Sequence, residues 1–175
     1  MAQALGPDQP FYALHPHGVD GEDIPASIDA MAGERLHALR EARPHGPYLL
    51  GEFCNGALVA LEMARQLVAA NEQVPVVVVI DAGAPGWLTA SSKGPDSLDA
   101  RYQGVIAAYA PPPYAGRIAV LHSDAMSDER ARLAWVPFVR QVEFHPIPGG
   151  HFAAITTNAV ATAGQLRACL QRALP

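Results

Sequence analysis

The stretch Gly51-Glu52-Phe53-Cys54-Asn55-Gly56 is the most informative part of this sequence for both fold and chemistry. It follows the apolar run 48–50 and opens into a helical pattern, so it predicts a sharp strand-to-helix turn that presents Cys54, a nucleophile elbow. Gly56 supplies the small residue that such a turn needs. Glu52 departs from the pattern, because the position two before the nucleophile is normally glycine. The helix that follows favours a thiolate, so we expect Cys54 to have a lowered pKa.

Cys54 needs a base, because a thiol with an unperturbed pKa of about 8.5 is only a few per cent thiolate at neutral pH. Without one, a single cysteine beside a glycine is more often a small buried residue. His151 lies in a glycine-rich loop, residues 147–152, between the last predicted strand and the last predicted helix. Asp81 directly follows the apolar run 76–80 and is the first candidate for the orienting acid, with Asp124 as the alternative.

Composition excludes several classes of protein. The 175 residues are 50% hydrophobic and 17% charged, with a formal net charge of −5, and we expect one domain spanning residues 1–175. The 12 Lys and Arg residues are scattered, so a nucleic-acid partner is not expected. No apolar run is long enough to span a membrane, and no signal peptide precedes the first strand, so we expect a cytoplasmic protein. Cys54 and Cys169 are expected to be free thiols.

The order of apolar runs predicts an α/β fold with a mostly parallel sheet flanked by helices. Predicted strands lie at 11–14, 48–50, 76–80, 118–121 and 142–147. Three helices are predicted. The first has Ser27 as its N-cap and ends before Pro44, the second begins just after Cys54, and the third spans about 158–172. Residues 83–116 are rich in glycine and proline, with a modest helical pattern at 98–109, and we interpret them as a short lid or cap insertion.

Several motifs together resemble the thioesterase domains of nonribosomal peptide synthetases and polyketide synthases, which have the α/β-hydrolase fold. The segments that carry the resemblance are distributed along nearly the whole chain: 5–14, 45–51, 54–56, 62–67, 80–81 and 148–152. The resemblance implies Cys54 as nucleophile, Asp81 as acid and His151 as base, in a cysteine variant of a family that usually has serine. It also implies an acyl or peptidyl carrier protein as partner, a phosphopantetheine-bound acyl thioester as substrate, and neither a cofactor nor a metal.

The departures from this family are equally specific. Members usually begin with further strands and a loop that donates one oxyanion N–H, and nothing in this sequence corresponds to them. The backbone N–H of Asn55 is then the one evident oxyanion donor, and losing a second donor typically costs about 3 to 4 kcal/mol of transition-state stabilisation. We therefore expect a thioesterase with weakened activity, which releases its product by hydrolysis or cyclisation. A truncated noncatalytic module that binds a carrier protein is the alternative, and an editing hydrolase is a third.

Other residues have competing interpretations. His15 and His17 have metal-ligand spacing, but no third ligand accompanies them, so a loop-packing role is favoured. His122 and His145 lie at strand ends and are expected to be structural. Three aromatic residues are candidates to line an acyl pocket or to pack in the core: Trp87, Tyr109 and Trp135.

Overall fold

The computed structural model describes residues 1–83 and 97–174, and its centre is a parallel sheet of four strands. The strands are β1 (Leu49–Phe53), β2 (Val76–Ile80), β3 (Tyr114–His122) and β4 (Val139–Pro146), and they lie side by side in the order β1-β2-β3-β4. Every neighbouring pair is parallel. The predicted α/β architecture is therefore confirmed.

Six α-helices in the described residues connect and cover these strands. They are α1 (Ala2–Leu5), α2 (Ile28–Ala42), α3 (Ala57–Ala69), α4 (Leu98–Ala107), α5 (Asp128–Trp135) and α6 (Ala159–Ala173). Two single turns of 3₁₀-helix add Cys54–Gly56 and Ala153–Ile155. None of the helices in this described part is both long enough and apolar enough to cross a bilayer.

The helices lie in layers on the two faces of the sheet, and β2 contributes to both. Val77 and Val79 pack in one hydrophobic cluster with side chains of α2, α3 and α5. Val76 and Val78 point the other way and pack with Leu5 of α1 and with α6. All five residues of β2 are buried. Alternation of side chains along a strand thus gives each helix layer its own half of the core.

Capping residues account for where the helices begin and end. Ser27 Oγ accepts the Ala30 N–H at 3.1 Å, so the predicted N-cap of α2 is confirmed. The helix ends at Ala42, followed by Arg43 in extended conformation, which is the conformation that a residue before proline prefers. Sequence analysis missed α5, although Ser127 caps it and two acidic residues follow in its first turn.

Two sequence predictions about segments need correction. Residues 11–14 do not form a strand, and Phe11 and Tyr12 are 48% and 74% exposed. An apolar run becomes a strand only where a neighbouring strand can accept its hydrogen bonds, and no described strand pairs with this segment. The predicted lid, residues 83–116, also extends too far, because its last three residues belong to β3. Its residues 84–96 lie outside the described part of the chain.

A buried polar cluster joins the segment after α4 to helix α3. Glu62 of α3 is only 5% exposed, and its carboxylate accepts hydrogen bonds from three side chains. The donors are Tyr109 Oη at 2.6 Å, Arg65 Nε at 3.1 Å and Gln66 Nε2 at 3.2 Å. Arg65 also donates to the Pro113 carbonyl at 3.1 Å. Because a buried carboxylate needs these donors, the cluster fixes where the chain leaves α4.

Replacing Tyr109 with phenylalanine tests this cluster. We expect Tyr109→Phe to lower the free energy of unfolding by about 1.5–3 kcal/mol, because the Glu62 carboxylate loses its shortest hydrogen bond while remaining buried. Urea denaturation measures the change. Tyr12→Phe is the control, since the Tyr12 side chain is largely exposed. Equal stabilities for the Tyr109 variant and the wild type would contradict this role.

Candidate active site

Cys54 lies where the end of β1 turns into helix α3. Its backbone has φ of +60°, a left-handed conformation that non-glycine residues rarely adopt. A 3₁₀ turn, Cys54–Gly56, then leads into α3. Phe53 pairs in register with Ile80, so Cys54 and Asp81 leave the sheet side by side at its carboxyl edge. The predicted strand-to-helix turn at Cys54 is therefore present in the structure.

Asp81 and His151 form a direct hydrogen-bonded pair. His151 Nδ1 lies 2.6 Å from Asp81 Oδ2, and Asp81 Oδ1 accepts the backbone N–H of Ser123 at 2.7 Å. Asp81 is 5% exposed, whereas His151 is partly exposed. An ionised Asp81 accepts hydrogen bonds only, so Nδ1 of His151 carries the proton and Nε2 is free to accept one.

Asp124, the alternative acid, contacts the histidine loop instead of the histidine. Its Oδ2 accepts the Gly149 N–H at 2.7 Å, and its own N–H donates to the Gly149 carbonyl at 2.9 Å. Gly149 has φ of +85°, and a Cβ there would lie 2.4 Å from Asn158 Nδ2. The glycine is therefore required by both conformation and space. Asp124 holds the loop in which His151 lies.

The His151 ring is also held by aromatic contacts. It stacks on Phe53, with ring centroids 4.5 Å apart and an interplanar angle of 29°. Phe152 contacts the imidazole edge-on at 5.0 Å. Phe53 immediately precedes Cys54, so the elbow itself contributes to the orientation of the imidazole. The hydrogen bond to Asp81 and these ring contacts together restrict the rotation of His151.

Cys54, Asp81 and His151 line one cavity of about 400 Å³. Helix α4 contributes Asp99, Gln103 and Ile106 to its wall. The remaining described lining comes from the loops after β2 and β3 and from the starts of α3 and α5: Asn55, Ala57, Leu58, Gly83, Ala125, Met126 and Arg130. Of these described lining residues, none precedes Cys54 in the sequence. Asn55 directly follows Cys54, and its backbone N–H donates to the Cys54 sulfur.

The surroundings of Cys54 keep its thiol protonated. Burial raises the pKa of Cys54, the Asn55 backbone N–H counteracts this, and the carboxylates of Asp81, Glu52 and Asp99 raise the pKa further. The thiol donates a hydrogen bond to Asn55 Oδ1 at 3.5 Å. The expected lowering of this pKa is therefore wrong for the free protein. Burial and the three nearby carboxylates outweigh the Asn55 N–H.

Glu52, which departs from the elbow pattern, fits because Gly56 leaves room for it. A Cβ on Gly56 would lie 2.4 Å from both Cγ and Cδ of Glu52. Glu52 Oε1 accepts the Phe53 N–H at 2.9 Å. The residue keeps exposed surface, yet the protein atoms around its carboxyl group raise its pKa, with Phe53 N–H and Arg35 acting in the opposite direction.

The four histidines given competing interpretations above lie away from this cavity. His17 Nε2 pairs with Glu34 at 3.0 Å, and the described residues include no cluster of three candidate metal ligands. His15 lines a separate polar cavity of about 140 Å³ together with His17. His122 Nε2 lies 2.9 Å from Asp128, and His145 contacts Glu143 and Arg172. The structure thus gives all four histidines positions outside the cavity that contains Cys54.

Of the two interpretations of the aromatic residues, packing is the one observed for Trp135 and Tyr109, and neither lines the cavity. Trp135 is fully buried and donates to the Ala82 carbonyl at 3.1 Å, while Tyr109 contacts Glu62. Trp87 lies outside the described residues. Sequence analysis instead missed Asp99, Gln103 and Ile106, whose spacing of four and three residues places them on one face of a helix. That spacing is the sequence signal from which their common helix face could have been predicted.

Comparison with known proteins places this arrangement in a family. A family model described as the thioesterase domain matches residues 1–107, more than half of the chain. An indigoidine synthase of Dickeya dadantii is 37% identical over 86 residues, and the non-reducing polyketide synthase ntnG of a Nectria species is 42% identical over 82 residues. These matches cover 49% and 46% of this chain but only 6% and 4% of the two synthases.

Solved structures give the same result for the fold. The NocB thioesterase domain from the nocardicin cluster superimposes with a TM-score of 0.72 at 27% identity, over 89% of this chain and 79% of that one. The type II thioesterase YbtT of the yersiniabactin pathway superimposes with a TM-score of 0.62 at 19% identity, over 86% and 76% of the two chains. The similarity to YbtT concerns the fold alone.

Replacing Gly56 with alanine tests the fit between Gly56 and Glu52. Gly56 has φ of −71°, which any residue adopts, and the three atoms nearest to an added Cβ all belong to Glu52. We expect Gly56→Ala to destabilise the protein by about 1–3 kcal/mol in urea denaturation, as overpacking typically does. In a Glu52→Ala background the cost should fall below about 1 kcal/mol. Equal costs in both backgrounds would show that another contact is responsible.

The pH dependence of alkylation tests the protonated state of Cys54. Because its pKa is raised, the thiolate fraction at a given pH is lower than for an ordinary thiol, so reaction with iodoacetamide should keep increasing up to alkaline pH. Peptide mapping separates Cys54 from buried Cys169. The same cysteine in urea-unfolded protein is the control and should reach its plateau at lower pH. A plateau near neutral pH in the folded protein would contradict the raised pKa.

Proposed function

Because this chain belongs to the thioesterase domain family, whose enzyme class is thioester hydrolase, we propose that it releases an acyl or peptidyl chain through an acyl-Cys54 intermediate. The substrate of this proposal is a thioester on the phosphopantetheine arm of a carrier protein, consistent with the megasynthases among its relatives. One observation carries the proposal. Cys54 opens on the same cavity as His151, whose Nδ1 is bonded to Asp81 at 2.6 Å.

Acylation begins with a protonated thiol. The Cys54 thiol turns from Asn55 Oδ1 toward His151, and Nε2 takes its proton while sulfur attacks the thioester carbonyl carbon. Asp81 stabilises the imidazolium that forms, and the Asn55 N–H donates to the oxyanion. When the intermediate collapses, the carbon–sulfur bond to the carrier arm breaks. The leaving thiolate takes the proton from His151, so the carrier leaves as a free thiol.

Deacylation repeats the same proton transfers with a second nucleophile. Water, or an amine or hydroxyl of the acyl chain itself, attacks acyl-Cys54 while His151 accepts its proton. The proton then passes to the Cys54 sulfur as the thioester bond breaks. Water gives a linear acid and an internal nucleophile gives a ring. Each cycle returns the thiol to its starting state, and no metal or cofactor takes part in the proposal.

Intact-protein mass spectrometry with an acyl-pantetheine thioester tests this function. We expect one acyl mass on the wild type that decays with time and none on Cys54→Ala, since that variant lacks the attacking sulfur. The folded state of both proteins is checked by circular dichroism. No adduct and no thioester loss from folded wild type would reject catalysis and favour the noncatalytic carrier-binding module. The raised pKa of the Cys54 thiol also favours that alternative.

A matched pair of carboxylate variants tests the assignment of the acid. Asp81→Asn should slow acylation about 10³- to 10⁴-fold, because an amide beside Nδ1 disfavours the productive histidine tautomer. Asp124→Asn should slow it less than about tenfold, since an amide oxygen can still accept the Gly149 N–H. The opposite ranking of the two variants would move the acid to Asp124.

A further inference from the structure

The β3–α5 loop, residues 123–127, supports both members of the pair formed by Asp81 and His151. The N–H of Ser123 donates to Asp81 Oδ1 at 2.7 Å. Asp124 forms two hydrogen bonds with the backbone of the loop that contains His151, at 2.7 and 2.9 Å. A displacement of the β3–α5 loop would therefore move the carboxylate and the imidazole relative to each other.

The side chain of His122, the last residue of β3, holds the far end of this loop. Its Nδ1 lies 3.1 Å from the carbonyl oxygen of Met126, and its Nε2 lies 2.9 Å from Asp128 Oδ1. Because a carbonyl oxygen only accepts hydrogen bonds, Nδ1 is the donor to Met126. The Met126 N–H donates to the Ser123 carbonyl at 2.9 Å and closes the loop into a turn. The His122 ring thus fixes a turn whose first residue contacts Asp81.

The two contacts of the His122 ring differ in their surroundings. His122 is only 4% exposed, whereas the Asp128 side chain is 65% exposed. A hydrogen bond from a buried donor is costly to lose, and a contact with a solvated carboxylate contributes little. Resting on the proposed function, we propose that His122 is a positioning residue, which holds the Met126 carbonyl through Nδ1 and thereby keeps Asp81 and His151 aligned for acylation.

Two amide side chains that reach different positions of the ring test this role. The amide nitrogen of asparagine falls near the position of Nδ1, and that of glutamine near the position of Nε2. His122→Asn therefore keeps a donor for Met126, whereas His122→Gln keeps only a contact with Asp128. At saturating acyl-pantetheine thioester, we expect acylation of Cys54 within about threefold of wild type in His122→Asn and at least about tenfold slower in His122→Gln. The half-saturating concentration should change less than the rate.

The tautomer of His151 provides a readout that does not depend on turnover. In protein labelled with ¹⁵N-histidine, the shifts of the ring nitrogens distinguish the Nδ1–H form from the Nε2–H form, and His151→Gln assigns the signals. We expect His151 to keep the Nδ1–H form in wild type and in His122→Asn. In His122→Gln it should populate the Nε2–H form as well, because its contact with Asp81 is loosened.

His145→Gln is the matched control, since His145 lies at the end of the neighbouring strand β4 and contacts Glu143 and Arg172. It should leave both the rate and the His151 tautomer unchanged. Asp128→Asn, at an exposed position, should also change neither, and a tenfold loss there would overturn the proposal even if His122→Gln does not fold. Equal effects of the two His122 variants, or a larger effect of His122→Asn, would overturn it as well.

Failure of the proposed function is read separately from failure of this inference. A wild-type protein that forms no acyl adduct would reject the acyl-Cys54 intermediate. The tautomer of His151 in the two His122 variants would still test whether His122 positions it.

Discussion

The burial of β2 on both faces is the constraint on which the rest of this structure depends. A strand with no exposed residue must be covered by helices on both sides and by strands on both edges, and here α2, α3 and α5 lie on one face and α1 and α6 on the other. Because its neighbours are parallel and in register with it, their carboxyl ends lie at one edge of the sheet. Cys54 and Asp81 leave the sheet there, next to each other. The layered core thus determines where the reactive groups meet.

The pair formed by Asp81 and His151 depends on several polar contacts around it. Asp81 is buried and receives the Ser123 N–H, so its carboxylate is held before His151 contributes anything. Asp124 plays a corresponding part for the histidine loop, through two hydrogen bonds with Gly149. Phe53 limits the ring from a third direction. The three side chains therefore act at different points, since Asp81 contacts the imidazole, Asp124 positions the loop, and the Phe53 ring stacks on the imidazole.

The electrostatics of the cavity bear on how Cys54 acts in the proposed mechanism, which needs no preformed thiolate. Burial and the carboxylates of Asp81, Glu52 and Asp99 raise the pKa of the Cys54 thiol, so in the proposed mechanism His151 accepts its proton as attack occurs. A neutral thiol is also less exposed to unwanted oxidation or alkylation.

The sequence by itself determined the sheet strands at 76–80 and 118–121, the N-cap Ser27, the turn at Cys54 and the loop of His151, because apolar runs, capping residues and glycines act locally. It also selected Asp81 ahead of Asp124. Tertiary structure alone decided that residues 11–14 do not form a strand, since pairing requires a neighbour that a sequence pattern does not reveal. It likewise decided the pKa of Cys54 and the presence of Asp99 at the nucleophile. Both depend on side chains that the fold brings together from distant parts of the chain, and no local sequence pattern gives the distances between them.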